Sequence, residues 1–249
     1  MARFRLDAGA PGVVRNAIVL PELSIVLPCF NEAAVVASVV REACTMGRKL
    51  AERFEVVVVD DGSVDDTESA AAVDKAVRVI RHPTNRGYGA ALASGFRAAR
   101  YRWVFYTDGD GQFALDQLDE FLKNAEDGTV LAGYRSPRAD GSLLRTLNGR
   151  GWTALTNATL GLSVRDVNCA FKLFPVELLR SSPMRSRGAA IDAELLFEAR
   201  RRGMRIVERP VTHRPRTSGE ATGARPKVIA RALWELGALR ARAVELFAE

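Results

Sequence analysis

Apolar runs of strand length alternate with helix-period segments through the first half of the chain. Residues 23–28 (LSIVLP) predict a buried strand, and 31–54 a helix with Asn31 as its N-cap. The β-branched run 56–59 (VVVV) predicts a second strand, ending in Asp60-Asp61-Gly62-Ser63. The alternation continues with a helix over 65–75, a strand over 77–81, a helix over 85–100, a strand over 103–107, a helix over 114–126 and a strand over 130–133. Strands alternating with helices imply βαβ units and an α/β fold with a largely parallel sheet. In such sheets ligands bind beyond the carboxyl ends of the strands. Three polar clusters sit at those ends: Asp60-Asp61, Asp108-Gly109-Asp110 and Tyr134-Arg135.

Beyond residue 134 the pattern changes. Residues 136–142 read as a polar loop, 145–160 as a helix, 170–174 as a strand and 189–202 as a helix closed by Gly203. Two short strands follow at 205–208 and 211–213, then a polar loop at 214–223 (RPRTSGEATG) and a last helix at 225–247. No repeat and no linker divides the chain, so the second half elaborates the same domain.

Composition narrows the class. Of 249 residues, 47% are hydrophobic and 27% charged, which is globular rather than disordered. Cys29, Cys44 and Cys169 form no CxxC pattern, and with only His82 and His213 beside them a disulfide framework or zinc site is not expected. A reducing compartment, the cytoplasm, is the expectation. No run of 18 apolar residues occurs, and residues 1–21 read as a mobile leader rather than a signal peptide. The net charge of +6 is unevenly placed. Residues 1–200 hold 25 basic and 25 acidic side chains, whereas 201–249 hold 11 and 5. A basic C-terminal fifth suits an anionic partner such as phosphate or lipid headgroups, and equally a solvated arginine-rich helix. No motif interleaves that charge with aromatics, so nucleic acid is not an expected partner.

Tyr106-Thr107-Asp108-Gly109-Asp110-Gly111-Gln112 carries the strongest chemistry. Two carboxylates at i and i+2 beyond a buried strand reach one small volume, given glycines for the turn. Such a pair suits Mg2+ or Mn2+ with positions left for a diphosphate. Loop geometry alone would also use Asp and Gly. At Asp60-Asp61-Gly62-Ser63, one carboxylate could take a base or ribose edge, or the cluster could be an Asx-turn with a helix cap from Ser63 or Asp65. Pro28-Cys29-Phe30-Asn31-Glu32 could line a base. Asn85-Arg86-Gly87-Tyr88-Gly89 lacks GxGxxG, so no dinucleotide fingerprint is present.

In order and spacing, PCFNE, VVDDGS, NRGYGAALASGF and TDGDGQF resemble family 2 of the glycosyltransferases, with the GT-A fold. Residues 166–172 (DVNCAFK), 191–196 (IDAELL) and 208–213 (ERPVTH) extend the likeness to its polyprenyl-phosphate (dolichyl-phosphate) mannosyltransferase branch, over about residues 22–235. The resemblance implies that Asp108 and Asp110 hold the metal on a sugar-nucleotide diphosphate, with Gln112 a further metal-side ligand. It implies that Asp60 and Asp61 bind the nucleoside and that Pro28, Phe30 and Glu32 wall the base. It makes Arg135 and Arg145 the receivers of the acceptor phosphate, and Arg214 or Arg216 the basic residue of a loop over the substrates. The implied division is a leader at 1–21, a nucleotide-sugar half at 22–134, an acceptor half at 135–222 and a C-terminal helical extension at 223–249. Two departures stand out. Phe113 is followed by Ala114-Leu115 instead of an acid and a proline, and the transmembrane helices common in the branch are not found here.

The implied reaction moves a hexose, mannose or glucose, with inversion onto a polyprenyl phosphate. A phosphate acceptor is already anionic and needs no base, only arginines to position it. A hydroxyl acceptor would need a base, with Asp192 or Glu194 as the candidates. Those two acids also suit a helix start for structural reasons. A non-catalytic nucleotide-binding subunit is a third reading. In the last helix Val228, Ile229, Ala232, Leu233, Leu236, Leu239 and Ala243 form an apolar stripe beside Arg225, Lys227, Arg231, Arg240 and Arg242. That pattern fits a peripheral helix on an anionic membrane, such as the inner face of the cell membrane, or a helix packed on the enzyme or a partner.

Overall fold

The computed structural model describes residues 3–5, 17–138, 143–215 and 226–248. Its strands are β1 (Arg3–Arg5), β2 (Ala17–Cys29), β3 (Ala51–Asp60), β4 (Val77–Arg81), β5 (Trp103–Thr107), β6 (Thr129–Arg138), β7 (Phe171–Pro175) and β8 (Arg205–His213). Its helices are α1 (Val36–Leu50), α2 (Thr67–Ala71), α3 (Tyr88–Ala98), α4 (Leu118–Phe121), α5 (Leu143–Leu160), α6 (Val176–Ser181), α7 (Ala190–Arg201) and α8 (Pro226–Ala248). The central sheet runs β4-β3-β2-β5-β7-β6-β8, with β1 beside β2.

The sheet is mostly parallel, as the alternation requires. β2 pairs parallel with β3 and β5, β3 with β4, and β6 with β8. The exception decides the site. β7 runs antiparallel between β5 and β6. The chain therefore enters β7 at the edge where β2, β3, β5, β6 and β8 end, and residues 166–170 join the site. Val56–Val59 of β3 are fully buried, as β-branched residues inside a covered parallel sheet should be. Aromatic rings fill the core around β5 and β7, with Phe105 and Phe121 edge-on to Phe171 at 4.6 and 4.9 Å.

Several expected boundaries are corrected. The first helix begins at Val36, not Asn31, and ends at Leu50, after which the chain turns directly into β3. Asn31 is no helix cap. It sits at φ 56°, and its Oδ1 accepts the Val64 amide while its own amide donates to Ser63 Oγ. The helix expected over 65–75 is confined to α2, and that over 114–126 breaks into α4 flanked by 3-10 turns. The two short strands expected around Pro210 are one strand. β8 is an edge strand, where a missing N–H is tolerated. Residues 17–21 of the expected mobile leader belong to β2, and Arg3–Arg5 pair with it. Most of the expected 214–223 loop lies outside the described residues, as do 139–142.

Candidate active site

Four carboxylates converge where β2, β3 and β5 end. The Cys29 thiol, at the end of β2, is pushed up by burial and then by the negative charge of Glu32, Asp60, Asp108 and Asp110 around it. The approach of the strands is close. Gly109 donates its amide to the Pro28 carbonyl, and a Cβ there would lie 2.3 Å from Cys29 Sγ, so only glycine fits between the two acids. Asp110 Oδ1 accepts the Gln112 amide at 3.0 Å, which folds the acidic turn back on itself.

Asp108 is raised to about 7 by burial and by the charges of Asp110 and Asp192, against the opposing hydrogen bond from the Tyr88 hydroxyl and the charge of Arg135. A carboxylate left this short of positive charge is a place for a cation. The donor set fits a hard divalent ion: two carboxylates at one turn, with the Gln112 amide beside them. Among the described residues no three His, Cys, Asp or Glu side chains form a metal-holding cluster. Protein ligands would thus fill only part of a coordination shell and leave the rest to diphosphate oxygens and water.

The other acids at this edge are tied to loops. Asp60 is fully buried, with Oδ1 accepting the Ser63 amide and Arg81 Nε 3.8 Å from Oδ2. Asp61 accepts His82 Nδ1 at 2.6 Å and the amides of Arg86 and Gly87 at 2.9 and 2.8 Å. The turn reading of Asp60-Asp61 is therefore realised whatever else these groups bind. Pro28 is buried, Glu32 half-buried and Phe30 42% exposed at the mouth of the edge. Glu32 is anchored through its amide to Thr67 Oγ1.

Arg135 stands on the other flank, near the end of β6. Its Nε and Nη2 form a fork on the Asp166 carboxylate at 2.7 and 2.9 Å. Asp166 takes two of its five N–H donors, so at most three remain for a ligand. Arg214 is exposed but is tied by its backbone to the acidic turn: its amide donates to the Gln112 carbonyl at 2.7 Å and its carbonyl accepts Gln112 Nε2 at 3.0 Å. The Arg145 side chain and all of Arg216 lie outside the described residues.

Asp192, in the first turn of α7, is buried. Its Oδ1 accepts Lys172 Nζ at 2.8 Å and the Tyr106 hydroxyl. Lys172 is itself fully buried and also donates to the carbonyls of Val167 and Cys169. Glu194, two residues on, is tied to the loop before α7. Burial opposes its charge, but the amides of Ser186 and Arg185 and the charge of Arg242 more than offset this and hold it below the usual range.

The sequence alone assigns no role to Tyr88, Asp166, Lys172 or His82. Lys172 carried a signal, as a lone ammonium inside the apolar strand FKLFP. Asp166 lies in the 166–172 segment that carries part of the family likeness, but its partner is 31 residues away.

Among the described residues no helix is long and apolar enough to cross a membrane. The chain is 31% identical over 208 residues to glycosyltransferase AglD of Haloferax volcanii, covering 78% of this chain and 33% of that one. It is 31% identical to the human dolichyl-phosphate beta-glucosyltransferase, over 72% of this chain and 63% of the other. It is 27% identical to the undecaprenyl-phosphate mannosyltransferase of Micrococcus luteus, over 79% and 85%. The chain thus spans a third to just under two-thirds of the length of the first two relatives. Among solved structures, the glucosyl-3-phosphoglycerate synthase of Mycobacterium tuberculosis in complex with UDP superposes with a TM-score of 0.67 at 24% identity, covering 87% of this chain and 80% of that one. That likeness bears on the fold alone, which is GT-A. The family model described as Glycosyl transferase family 2 matches residues 24–182, and the chain belongs to that family.

Proposed function

We propose that the chain is a metal-dependent, inverting glycosyltransferase that moves a hexose, mannose or glucose, from a nucleotide-sugar to a polyprenyl phosphate. The observation that carries this reading is the acidic turn Asp108–Asp110 at the strand ends, with the forked Arg135 acting on Asp108 from the opposite flank. The printed names of the human and Micrococcus relatives, a dolichyl-phosphate and an undecaprenyl-phosphate transferase, support it.

Asp108, Asp110 and Gln112 would hold Mg2+ or Mn2+, which when bound neutralises charge developing on a departing nucleoside diphosphate. The chain's own groups do the rest. Phe30 offers an exposed ring, and Pro28 and Glu32 a wall, for the base. Asp60 and Asp61 keep the neighbouring loops in place and face the nucleoside. Arg135, joined by Arg145 and by Arg214 or Arg216, positions the acceptor phosphate with planar donors. A phosphomonoester reaches the anomeric carbon already ionised, so no proton has to be removed. Asp192 suits this economy: Lys172 and Tyr106 occupy its Oδ1, which fits a carboxylate held in place more than one handing protons on.

The test is transfer of label from GDP-mannose or UDP-glucose to a short polyprenyl phosphate, read in the organic phase. Transfer that EDTA and Asp110→Asn abolish, with Asp192→Asn mild per folded molecule, supports the proposal. Metal-dependent donor hydrolysis without organic-phase label, and an Asp192→Asn that is severe while still folded, would replace it with a hydroxyl acceptor.

A further inference from the structure

We propose that the outward faces of α5 and α8 form the surface by which this chain docks on an anionic lipid bilayer. Eight large hydrophobic side chains are exposed among the described residues, and six of them lie on these two helices: Leu147, Leu155, Ile229, Leu233, Trp234 and Val244. α8 packs its other face, Ala232, Leu236, Leu239 and Ala243, into the protein. The stripe opposite runs through Ile229, Leu233, Trp234, Gly237, Ala241 and Val244, recurring at three and four residues. A helix apolar on both faces has one face without a partner among the described residues. Trp234 is 74% exposed on it, the placement of an interfacial anchor.

Charge chooses the partner. Exposed Lys227 and Arg240 flank the stripe on α8, Arg150 is exposed on the adjacent α5, and Arg231, also exposed, is paired with Glu235. α5 contains no acidic residue. The acidic side chain described on α8, Glu235, is buried and turned inward, accepting the amides of Arg187 and Gly188; Glu245 lies outside the described side chains. A second copy of this surface would bring cation against cation with no described carboxylate between them. A bilayer with anionic headgroups meets both the apolar stripe and its basic border.

The same helix is wired to the site. Glu235 holds the loop at 187–188, and the Arg187 carbonyl accepts the Gly89 amide at 2.8 Å, next to Tyr88, whose hydroxyl bonds Asp108. A docked α8 therefore sets the catalytic edge close to the membrane. That consequence rests on the lipid-phosphate reading; the docking rests on the surface alone.

The experiment uses the full chain and vesicles of phosphatidylcholine with and without phosphatidylglycerol, reading co-sedimentation and the blue shift of tryptophan emission. Wild type is expected to bind the anionic vesicles. Leu233→Ser/Trp234→Ser should weaken that binding by at least about tenfold, and Lys227→Glu/Arg240→Glu should weaken it comparably. Both variants should keep transfer to a short acceptor in detergent and lose it for acceptor embedded in vesicles. No binding by wild type, or binding unchanged in both variants, overturns the proposal. So does a dimer in sedimentation equilibrium that the Leu233/Trp234 variant dissolves. Binding without transfer in either format would keep the docking surface and defeat the reaction instead.

Discussion

Replacing Lys172 by methionine isolates the most consequential buried contact. Nζ lies 2.8 Å from Asp192 Oδ1, 3.1 Å from the Tyr106 hydroxyl, and 2.9 and 2.5 Å from the carbonyls of Val167 and Cys169. Methionine keeps the length and apolar stem and removes the charge and every donor. Breaking a buried pair from one side costs about 3–5 kcal/mol, because the other charge remains. Two carbonyls stripped of a donor push toward the upper end of that range. For a chain of this size each kcal/mol moves Tm by about 2–4 °C, so a loss near 4 kcal/mol lowers it by roughly 8–16 °C. Lys172→Met/Asp192→Asn removes both charges and leaves an amide that still accepts the Tyr106 hydroxyl. It should recover at least half of the loss, whereas independent effects would add. The assay is thermal or urea unfolding of wild type, both single variants and the double, closed as a cycle. A Tm for Lys172→Met within about 2 °C of wild type, or a double variant no more stable than that single one, would refute the reasoning.

Other outcomes follow from the site. Arg135→Lys keeps the charge but loses the fork on Asp166; acceptor KM should rise and transfer fall by about 10–100-fold, the value of a charge-assisted bond, and unchanged kinetics would remove Arg135 from the acceptor side. Asp108 is raised from its ordinary 3.8 to about 7, so its contribution to the metal-free fold is full at acid pH and is lost as pH rises through that window. Mn2+ competes with that proton and should raise Tm more at alkaline than at mildly acid pH, and an equal rise at both would deny Asp108 a place in the metal site. Gly109→Ala places a methyl 2.3 Å from Cys29 Sγ and should cost about 1–3 kcal/mol, with Cys29→Ala added to it restoring most of the Tm; no restoration would mean that the strain lies elsewhere.

The parts of this fold legible in the chain are those a local pattern determines. Val56–Val59 admits no amphipathic reading, so it could only be a buried strand ending at Asp60. Asp108 and Asp110 lie within one turn of chain, so their pairing is local. Strand direction is not local, so no pattern in the sequence marks β7 as antiparallel. Helix ends depart from the periodic pattern where tertiary pairing overrides it. Residues 51–54 continue the spacing of α1, yet Leu20, Glu22 and Leu23 of β2 claim Ala51, Arg53 and Phe54 as parallel neighbours. Pro210 reads as a break because the sequence does not say which strand lies at an edge. The fork of Arg135 on Asp166 spans 31 residues, so neither residue announces the other.

That contrast separates the carboxylates that build the site from those that serve it. Asp61, Glu194 and Glu235 each gather two or more backbone amides from a loop that the sequence would leave free to move. Each adds a cation or imidazole partner: His82, Arg242 and Arg231 respectively. Their charge is answered by the protein, and their work is to fix loops 84–87 and 184–188 beside the strand ends. Asp108 has a phenol as donor and Arg135 at long range, while Asp110 and Asp192 press on it with like charge. Asp61, Glu194 and Glu235 are answered within the fold while Asp108 stays raised, which supports the proposal that Asp108 meets a charge from outside. The Asp110→Asn and Mn2+ experiments therefore test one idea from two sides. Neutralising the neighbour should lower the Asp108 pKa while removing a ligand, so the variant should lose Mn2+ stabilisation and gain metal-free stability together. Loss of the first without gain of the second would show that the two carboxylates do not share a field.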